Sequence, residues 1–237
     1  MNIAAILSGG IGKRAEAGKP KQFVELCGKP MILHTIDAFE ASPDIDRIIV
    51  VSHPDYIGLL EEMRKTHHYH KWWKTVAGGA ERHLSSLEAV KACEGLDGNL
   101  FLHDAARPFA SAELIGRVAD ALKTAEGAAP AIGLSDTLVE VSDRTIKCVP
   151  ERKKFRLVQT PQAFRLSLLR KASEAAKKDS NICVTDDCGL ILTYFPDTEI
   201  QLVEGDFANK KLTYHSDIEL FENYLQKKGK RCCTTKK

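Results

Sequence analysis

The chain has 237 residues, of which 43% are hydrophobic, and a formal net charge of +2. This length and apolar content suffice for one sizeable core, so we expect a single domain. The near-neutral charge, with basic residues spread along the chain, gives no indication of nucleic-acid binding or of attachment to a membrane surface. Seven cysteines, with no signal-peptide pattern and no apolar stretch of membrane-spanning length, favour free thiols in a cytoplasmic protein.

Apolar runs alternate with helix-period segments over the first 135 residues. The apolar runs lie at 2–7, 47–51, 74–77, 99–102 and 128–134, and the helical segments near 31–41, 56–66, 83–93 and 112–124. The alternation predicts an α/β fold with a Rossmann-like, mostly parallel sheet and helices on both of its faces. Right-handed crossovers bring the loops that follow the strands to one edge, where ligands of open sheets bind.

The pattern changes after residue 135. Segments 138–141 and 146–149 alternate around a polar turn at 142–145, which predicts a β-hairpin. Because a two-stranded ribbon is not stable alone, the hairpin needs a surface, either on its own domain or on a second subunit. Further along we expect a helix from 165, a helix start at 184–187, a strand at 199–203 and a final helix from about 215, followed by a disordered basic tail at 231–237.

A glycine-rich, cationic loop follows the first apolar run. The sequence GGIGKR occupies positions 9–14, and Lys13, Arg14, Lys19 and Lys21 place four cations close together. Glycine lets backbone N–H groups approach phosphate oxygens, and the cations offset several negative charges, so the loop indicates a nucleoside triphosphate site. Segment 10–15 also fits a relaxed dinucleotide fingerprint, and an ordinary glycine-rich turn is the simplest alternative. A dinucleotide site needs fewer cations and an acidic strand end about twenty residues later, which segment 25–40 does not offer.

Further motifs follow along nearly the whole chain. They are PKQF at 20–23, GGAER at 78–82, HDAARP at 103–108, DT at 136–137, QTPQ at 159–162, VTDD at 184–187, VEGD at 203–206 and NKKLT at 209–213. In this order and at these spacings the motifs resemble the cytidylyltransferases of sugar-alcohol phosphates, the family of the 2-C-methyl-D-erythritol 4-phosphate and ribitol-5-phosphate enzymes. The resemblance implies transfer of CMP from CTP to a sugar-alcohol phosphate with release of pyrophosphate. It further implies a nucleotidyltransferase domain over residues 1–230, Mg²⁺ or another divalent cation, and a homodimer joined by a β-arm at 135–158.

The same resemblance assigns candidate site residues. The catalytic candidates are Arg14, Lys21, Arg152 and Lys211. The nucleotide-binding candidates are Leu7, Ser8, Gly9, Gly10, Ile11, Gly12, Gly79, Ala80, Ser85, Asp104 and Ala105. The acceptor-binding candidates are Asp104, Arg107, Thr137, Arg152, Thr160, Thr185 and Lys211. Asp104 is also the candidate metal ligand, although the resemblance implies a cation held largely by the CTP phosphates.

The choice of acceptor stays open at this stage. The GGIG loop is more similar to the ribitol enzymes, whereas DAARP and VTDD are more similar to the methylerythritol enzymes, which we favour. Ala80 stands where the family sometimes has Asp, so selectivity for cytosine over uracil is less secure. Two alternatives from other classes are a nicotinamide-dependent oxidoreductase and a non-catalytic nucleotide sensor. A sensor would be expected to have lost charged site residues, and these are present.

Overall fold

The computed structural model describes residues 1–10, 20–227 and 229. In this part of the chain the strands are β1 (Asn2–Ser8), β2 (Glu25–Leu26), β3 (Lys29–Pro30), β4 (Arg47–Ser52), β5 (Trp72–Ala77), β6 (Asn99–Asp104), β7 (Gly127–Ile132), β8 (Glu140–Ser142), β9 (Thr145–Cys148), β10 (Leu157–Val158), β11 (Gln162–Arg165) and β12 (Ile200–Glu204). The helices are α1 (Met31–Glu40), α2 (Ile57–His67), α3 (Arg82–Ala92), α4 (Ala112–Ala121), α5 (Leu166–Ala176), α6 (Asp187–Tyr194) and α7 (Asp217–Lys227). None of these helices is long and apolar enough to cross a membrane.

The described residues form a mostly parallel sheet of eight strands. Its order is β10-β7-β11-β6-β1-β4-β5, and β12 pairs with β7. Strand β1 is parallel to both β4 and β6, so the loops after these three strands open at the same edge. Strands β10 and β11 run antiparallel to β7, and β11 also pairs antiparallel with β6. The expected fold class, α/β with a mostly parallel sheet, is confirmed.

Helices cover both faces of the sheet, as predicted. On β1, Ala4 and Ile6 contribute to one buried cluster, which contains residues of α1 and α4. The alternate residues Ile3 and Ala5 contribute to a second buried cluster, with residues of α3, α5 and α6. Because successive side chains of a strand point to opposite faces, one apolar strand supplies both clusters. This burial fixes the register of β1 and therefore the position of the loop that follows it.

The hairpin predicted after residue 135 is present as a separate two-stranded sheet. Strand β8 pairs antiparallel with β9, and every residue of both strands is exposed. Apolar side chains among them, such as Val141 and Ile146, are about 60% exposed. Among the described residues, the hairpin is therefore not covered by the core, and its apolar side chains are exposed.

The sequence analysis missed two features. One is the short β2–β3 hairpin, and the other is the antiparallel β10–β11 insertion between the parallel strands. Neither has the length or alternation of an independent strand pattern. The predicted helix over 112–124 ends at Ala121, because the following residues form a turn.

Candidate active site

A cleft opens at the carboxyl edge of β1 and β6. It has a volume of about 220 Å³. Its lining residues are Leu7, Ser8, Gly9, Gly10, Lys21, Gln22, Ala80, Glu81, Arg82, Ser85, Asp104, Ala105, Ala106 and Lys211. These come from segments that are far apart in the sequence, and parallel pairing of the strands brings them to one edge. The candidates Ile11, Gly12 and Arg14 lie outside the described residues.

Backbone approaches closely at the glycine end of the cleft. A Cβ atom on Gly9 would lie 2.6 Å from the Ser85 hydroxyl, and one on Gly78 would lie 2.7 Å from it. A side chain at either position would therefore displace the Ser85 hydroxyl, so glycine lets the first loop approach the start of α3 closely. The Ser8 hydroxyl donates to the carbonyl of Val51 and anchors the loop from below. Gly10, which follows in the loop, is exposed, and binding of a base or phosphate there stays a prediction.

Gly79, Ala80 and Ser85 lie together at the start of α3. The Ser85 hydroxyl is within 3.4 Å of the Gly79 carbonyl and 3.3 Å of the Glu81 carbonyl. Ala80 and Ser85 both line the cleft. The three residues assigned to a cytosine pocket therefore lie close together, and their binding of a base stays a prediction.

Asp104 lies at the end of β6 among three cations. Its Oδ1 accepts a hydrogen bond from Arg82 Nε at 3.0 Å, its Oδ2 accepts one from Lys211 Nζ at 2.9 Å, and Arg107 Nε is 3.6 Å from Oδ2. Burial alone would raise the pKa of the Asp104 carboxyl. The three cations, led by Arg82, outweigh burial and hold that pKa far below its usual range. Asp104 is therefore a fixed carboxylate at neutral pH.

Arg82 was quoted within the GGAER motif, but the sequence analysis assigned it no role. Its Nη1 is 2.8 Å from Oδ2 of Asp187, whose side chain is 1% exposed. Asp187 also accepts a hydrogen bond from the Ser86 hydroxyl at 2.6 Å. Burial raises the pKa of Asp187, and Arg82 opposes that rise. The guanidinium thus joins the start of α6 to Asp104 at the floor of the cleft, and only the tertiary structure reveals this pairing.

The QTPQ segment lies behind Asp104. The Thr160 hydroxyl accepts from the backbone N–H of Asp104 at 3.1 Å, and it is 3.0 Å from Nδ1 of His103. His103 Nε2 donates to the Arg107 carbonyl at 3.0 Å. Burial lowers the pKa of His103 to about 4, so its ring is neutral at pH 7. Thr160 is 3% exposed and orders the HDAARP loop, while its contact with an acceptor stays a prediction.

The remaining candidates occupy three different environments. Arg107 donates from Nη1 to the Asn209 carbonyl at 2.8 Å, and its Nε lies 3.6 Å from Asp104 Oδ2, while its contact with an acceptor stays a prediction. Thr185 is exposed immediately before Asp186, the N-cap of α6. Thr137 and Arg152 lie on exposed parts of the arm. Arg152 donates to the Ser135 carbonyl, so its own chain does not bring it to the Asp104 cleft.

The two lysine candidates both line the cleft. Lys21 Nζ donates to the Thr213 carbonyl at 2.9 Å, and Lys211 Nζ donates to Asp104. Within the described residues, no cluster of three or more His, Cys, Asp or Glu side chains is arranged to hold a metal. Both Asp104 oxygens already face cations. The donor set therefore fits a divalent cation held through phosphate oxygens better than one bound directly by protein carboxylates.

A mostly parallel sheet with glycine backbone and paired lysines at its carboxyl edge is the arrangement of a nucleotidyltransferase. The comparisons specify which one. Residues 3–227 match the family model of 2-C-methyl-D-erythritol 4-phosphate cytidylyltransferase. The enzyme of that name from Thermobifida fusca is 36% identical over 230 residues, which cover 94% of this chain and 92% of that one. The chain therefore belongs to the 2-C-methyl-D-erythritol 4-phosphate cytidylyltransferase family, and the oxidoreductase and sensor interpretations have no support.

Two further matches bear on fold and acceptor. The crystal structure of 4-diphosphocytidyl-2C-methyl-D-erythritol synthase from Anaerococcus prevotii matches with a TM-score of 0.82 and 28% identity, covering 95% of this chain and 98% of that one. The bifunctional ribulose 5-phosphate reductase/CDP-ribitol pyrophosphorylase Bcs1 of Haemophilus influenzae is 34% identical over 232 residues. These residues cover 96% of this chain and 49% of that protein.

Proposed function

We propose that this cytidylyltransferase transfers CMP from CTP to 2-C-methyl-D-erythritol 4-phosphate. A phosphate oxygen of the acceptor forms a bond to the α-phosphorus of CTP while the bond to the bridging oxygen breaks and pyrophosphate leaves. The acceptor phosphate is already ionised near neutral pH, so no general base is needed. The protein must therefore align two polyanions and stabilise the extra negative charge on the α-phosphate.

The observation that carries this proposal is the meeting of Lys21, Lys211 and Asp104 with the glycine loop in one cleft. Positively charged donors fixed before the substrate arrives stabilise transition-state charge without further reorganisation. Lys21 is placed to contact the triphosphate, and Lys211 to exchange its bond with Asp104 for one with a phosphate. A divalent cation held with the CTP phosphates near Asp104 would supply additional charge neutralisation.

The exposed arm supports a homodimer in which each arm completes the acceptor site of the other chain. Arg152 lies outside the cleft of its own chain but offers a guanidinium fork that suits phosphate. Three apolar side chains of the arm, those of Val141, Ile146 and Val149, are each at least 60% exposed. A two-fold partner would cover them and bring Arg152 towards the second cleft. We also place the enzyme in the cytoplasm, on the cysteine argument given above.

A second acceptor, ribitol 5-phosphate, is favoured by the GGIG loop and by the match to about half of a bifunctional ribulose 5-phosphate reductase/CDP-ribitol pyrophosphorylase. Incubation of the purified protein with CTP, Mg²⁺ and each acceptor, with pyrophosphate release measured continuously, separates the two. We expect kcat/KM to be higher for the methylerythritol phosphate. A higher value for ribitol 5-phosphate would replace the first assignment by the second, and no release with either would reject both.

A further inference from the structure

Residues 209–214, here called the lysine strap, contribute Lys211 to the lining of the cleft. The strap carries Lys211, whose Nζ lies 2.9 Å from Asp104 Oδ2. It also carries the Thr213 carbonyl, which accepts a hydrogen bond from Lys21 Nζ at 2.9 Å. Both lysines that the proposed function places at the phosphates are therefore oriented by this one segment.

The first half of the strap is held by the body of the protein. Asn209 is fully buried and donates from Nδ2 to the Thr160 carbonyl at 2.7 Å. The backbone N–H of Leu212 donates to the Ala106 carbonyl at 2.8 Å, and the Leu212 side chain is 3% exposed. These contacts fix the strap up to Leu212. They leave open what holds Thr213, whose carbonyl orients Lys21.

The second half of the strap is held by Asp217, the first residue of α7. Its Oδ2 accepts hydrogen bonds from the backbone N–H groups of Thr213 at 2.8 Å and Tyr214 at 2.9 Å. Its Oδ1 accepts one from Lys210 Nζ at 2.7 Å. An N-cap side chain bonds to N–H groups that follow it within the helix, whereas Asp217 bonds to groups that precede it. Its carboxylate therefore organises the strap in addition to any effect on α7.

The contact with Lys210 also separates two adjacent lysines. Lys210 pairs with Asp217, and Lys211 pairs with Asp104 on the cleft side. The negative charge at position 217 thus binds Lys210, and the neighbouring Lys211 binds Asp104. An uncharged acceptor would keep the backbone bonds but would lose this separation.

We propose that Asp217 is a positioning residue, which sets the places of Lys21 and Lys211 in the cleft by holding Thr213, Tyr214 and Lys210. The inference rests on the proposed function for the importance of the two lysines, but not for their geometry. Its test therefore has one readout that requires turnover and one that does not.

The turnover readout is a double-mutant cycle. Asp217→Ala is expected to lower kcat about tenfold or more, because a displacement of catalytic groups by about 1 Å costs up to about a hundredfold. In a Lys211→Ala background the same change should cost at least about threefold less, since residues that act as a unit are non-additive. Equal factors in both backgrounds would reduce Asp217 to a structural residue. Asp217→Asn keeps an acceptor for the backbone N–H groups and replaces the alanine variant in the cycle if that variant does not fold. It should lower kcat less than Asp217→Ala, with the same non-additivity.

The second readout is the acetylation rate of each lysine by acetic anhydride without substrate, followed by peptide mass spectrometry. Asp217→Ala and Asp217→Asn should raise the rate at Lys211 several-fold, with Lys74 as an unchanged internal reference. The matched control is Glu40→Gln, because Glu40 also accepts from two backbone N–H groups, those of His70 and Lys71, before β5 and away from the cleft. Glu40→Gln should leave both the Lys211 rate and kcat unchanged. Unchanged Lys211 acetylation in both Asp217 variants would overturn the inference even if the wild-type protein turned over neither acceptor.

Discussion

Replacement of Arg82 by Met tests the buried charge network under the cleft. Arg82 Nε lies 3.0 Å from Asp104 Oδ1, and Arg82 Nη1 lies 2.8 Å from Asp187 Oδ2. Methionine removes the guanidinium but keeps an unbranched apolar side chain. Asp104 keeps Lys211 and Arg107 as partners, so it loses only part of the stabilisation that cations give its carboxylate. Asp187 keeps the Ser86 hydroxyl but loses its ion pair. Breaking a buried ion pair by removing one partner costs about 3–5 kcal/mol, and we expect the free energy of unfolding to fall by this amount at pH 7.

The stability deficit of Arg82→Met, measured as the loss in the free energy of unfolding, should shrink as the pH falls. Burial already raises the pKa of Asp187 in the wild-type protein, and removal of Arg82 raises it further. A carboxyl whose folded pKa lies above its unfolded value destabilises the fold only when ionised, so the cost disappears as the pH drops towards the ordinary Asp value of about 4. Asp104 has the opposite shift, and its stabilising contribution is lost only below that value. The interval from pH 7 to about pH 4.5 therefore contains the effect of Asp187 and excludes the loss of the Asp104 contribution.

The assay is urea unfolding followed by circular dichroism across this pH interval. Asp187→Asn added to Arg82→Met should recover part of the lost stability, since it removes the unpaired charge. Arg170→Met is the matched control, because the Arg170 guanidinium donates to the carbonyls of Cys93 and Leu96, and its deficit should not depend on pH. A deficit below about 1 kcal/mol for Arg82→Met, or one that is equal at both ends of the interval, would refute the reasoning.

Three further predictions concern the cleft and the arm. Lys21→Ala should lower kcat at least about a hundredfold with a smaller change in the KM for CTP, because the Lys21 charge acts mainly in the transition state. A kcat near the wild-type value in steady-state assays would exclude Lys21 from catalysis. Gly9→Ala should raise the KM for CTP, since the new Cβ would lie 2.6 Å from Ser85 Oγ. The control Gly58→Ala should leave this KM unchanged, because no atom lies within 4 Å of its new Cβ. Equal KM values for the two variants would contradict the close packing of the glycine loop. If Arg152 acts in trans, mixing inactive Lys21→Ala and Arg152→Ala chains should restore activity to up to about half the sites of each mixed dimer. No recovery of activity in chains shown to have exchanged would reject the shared site.

The sequence predicts the parallel core well because its strands are long apolar runs separated by helix-period segments. It does not predict β11, which has only four residues next to Pro161 and is a strand because β6 and β7 pair with it on both sides. The same limit applies to the site. Motifs indicate Lys21, Asp104 and Lys211 one by one, but the pairing of Lys211 with Asp104 spans 107 positions and exists only in the folded chain.

Buried partners were the least predictable part of the site. Nothing in the local pattern of GGAER distinguishes Arg82 from an ordinary helix-start arginine. Its importance follows from two carboxylates that tertiary packing places on either side of it, one at the end of β6 and one at the start of α6. Asp217 is similar, since its bonds run back to a strap that no secondary-structure pattern connects with the cleft.

The most direct test of the central claim is ³¹P NMR of a reaction containing the protein, CTP, Mg²⁺ and 2-C-methyl-D-erythritol 4-phosphate. The account predicts a new diphosphate diester and pyrophosphate, which appear in equal amounts as CTP is consumed. Formation of the diester requires both polyanions to meet at the one cleft that holds Lys21, Asp104 and Lys211. Consumption of CTP without a diester, or no consumption with either this acceptor or ribitol 5-phosphate, would contradict the claim.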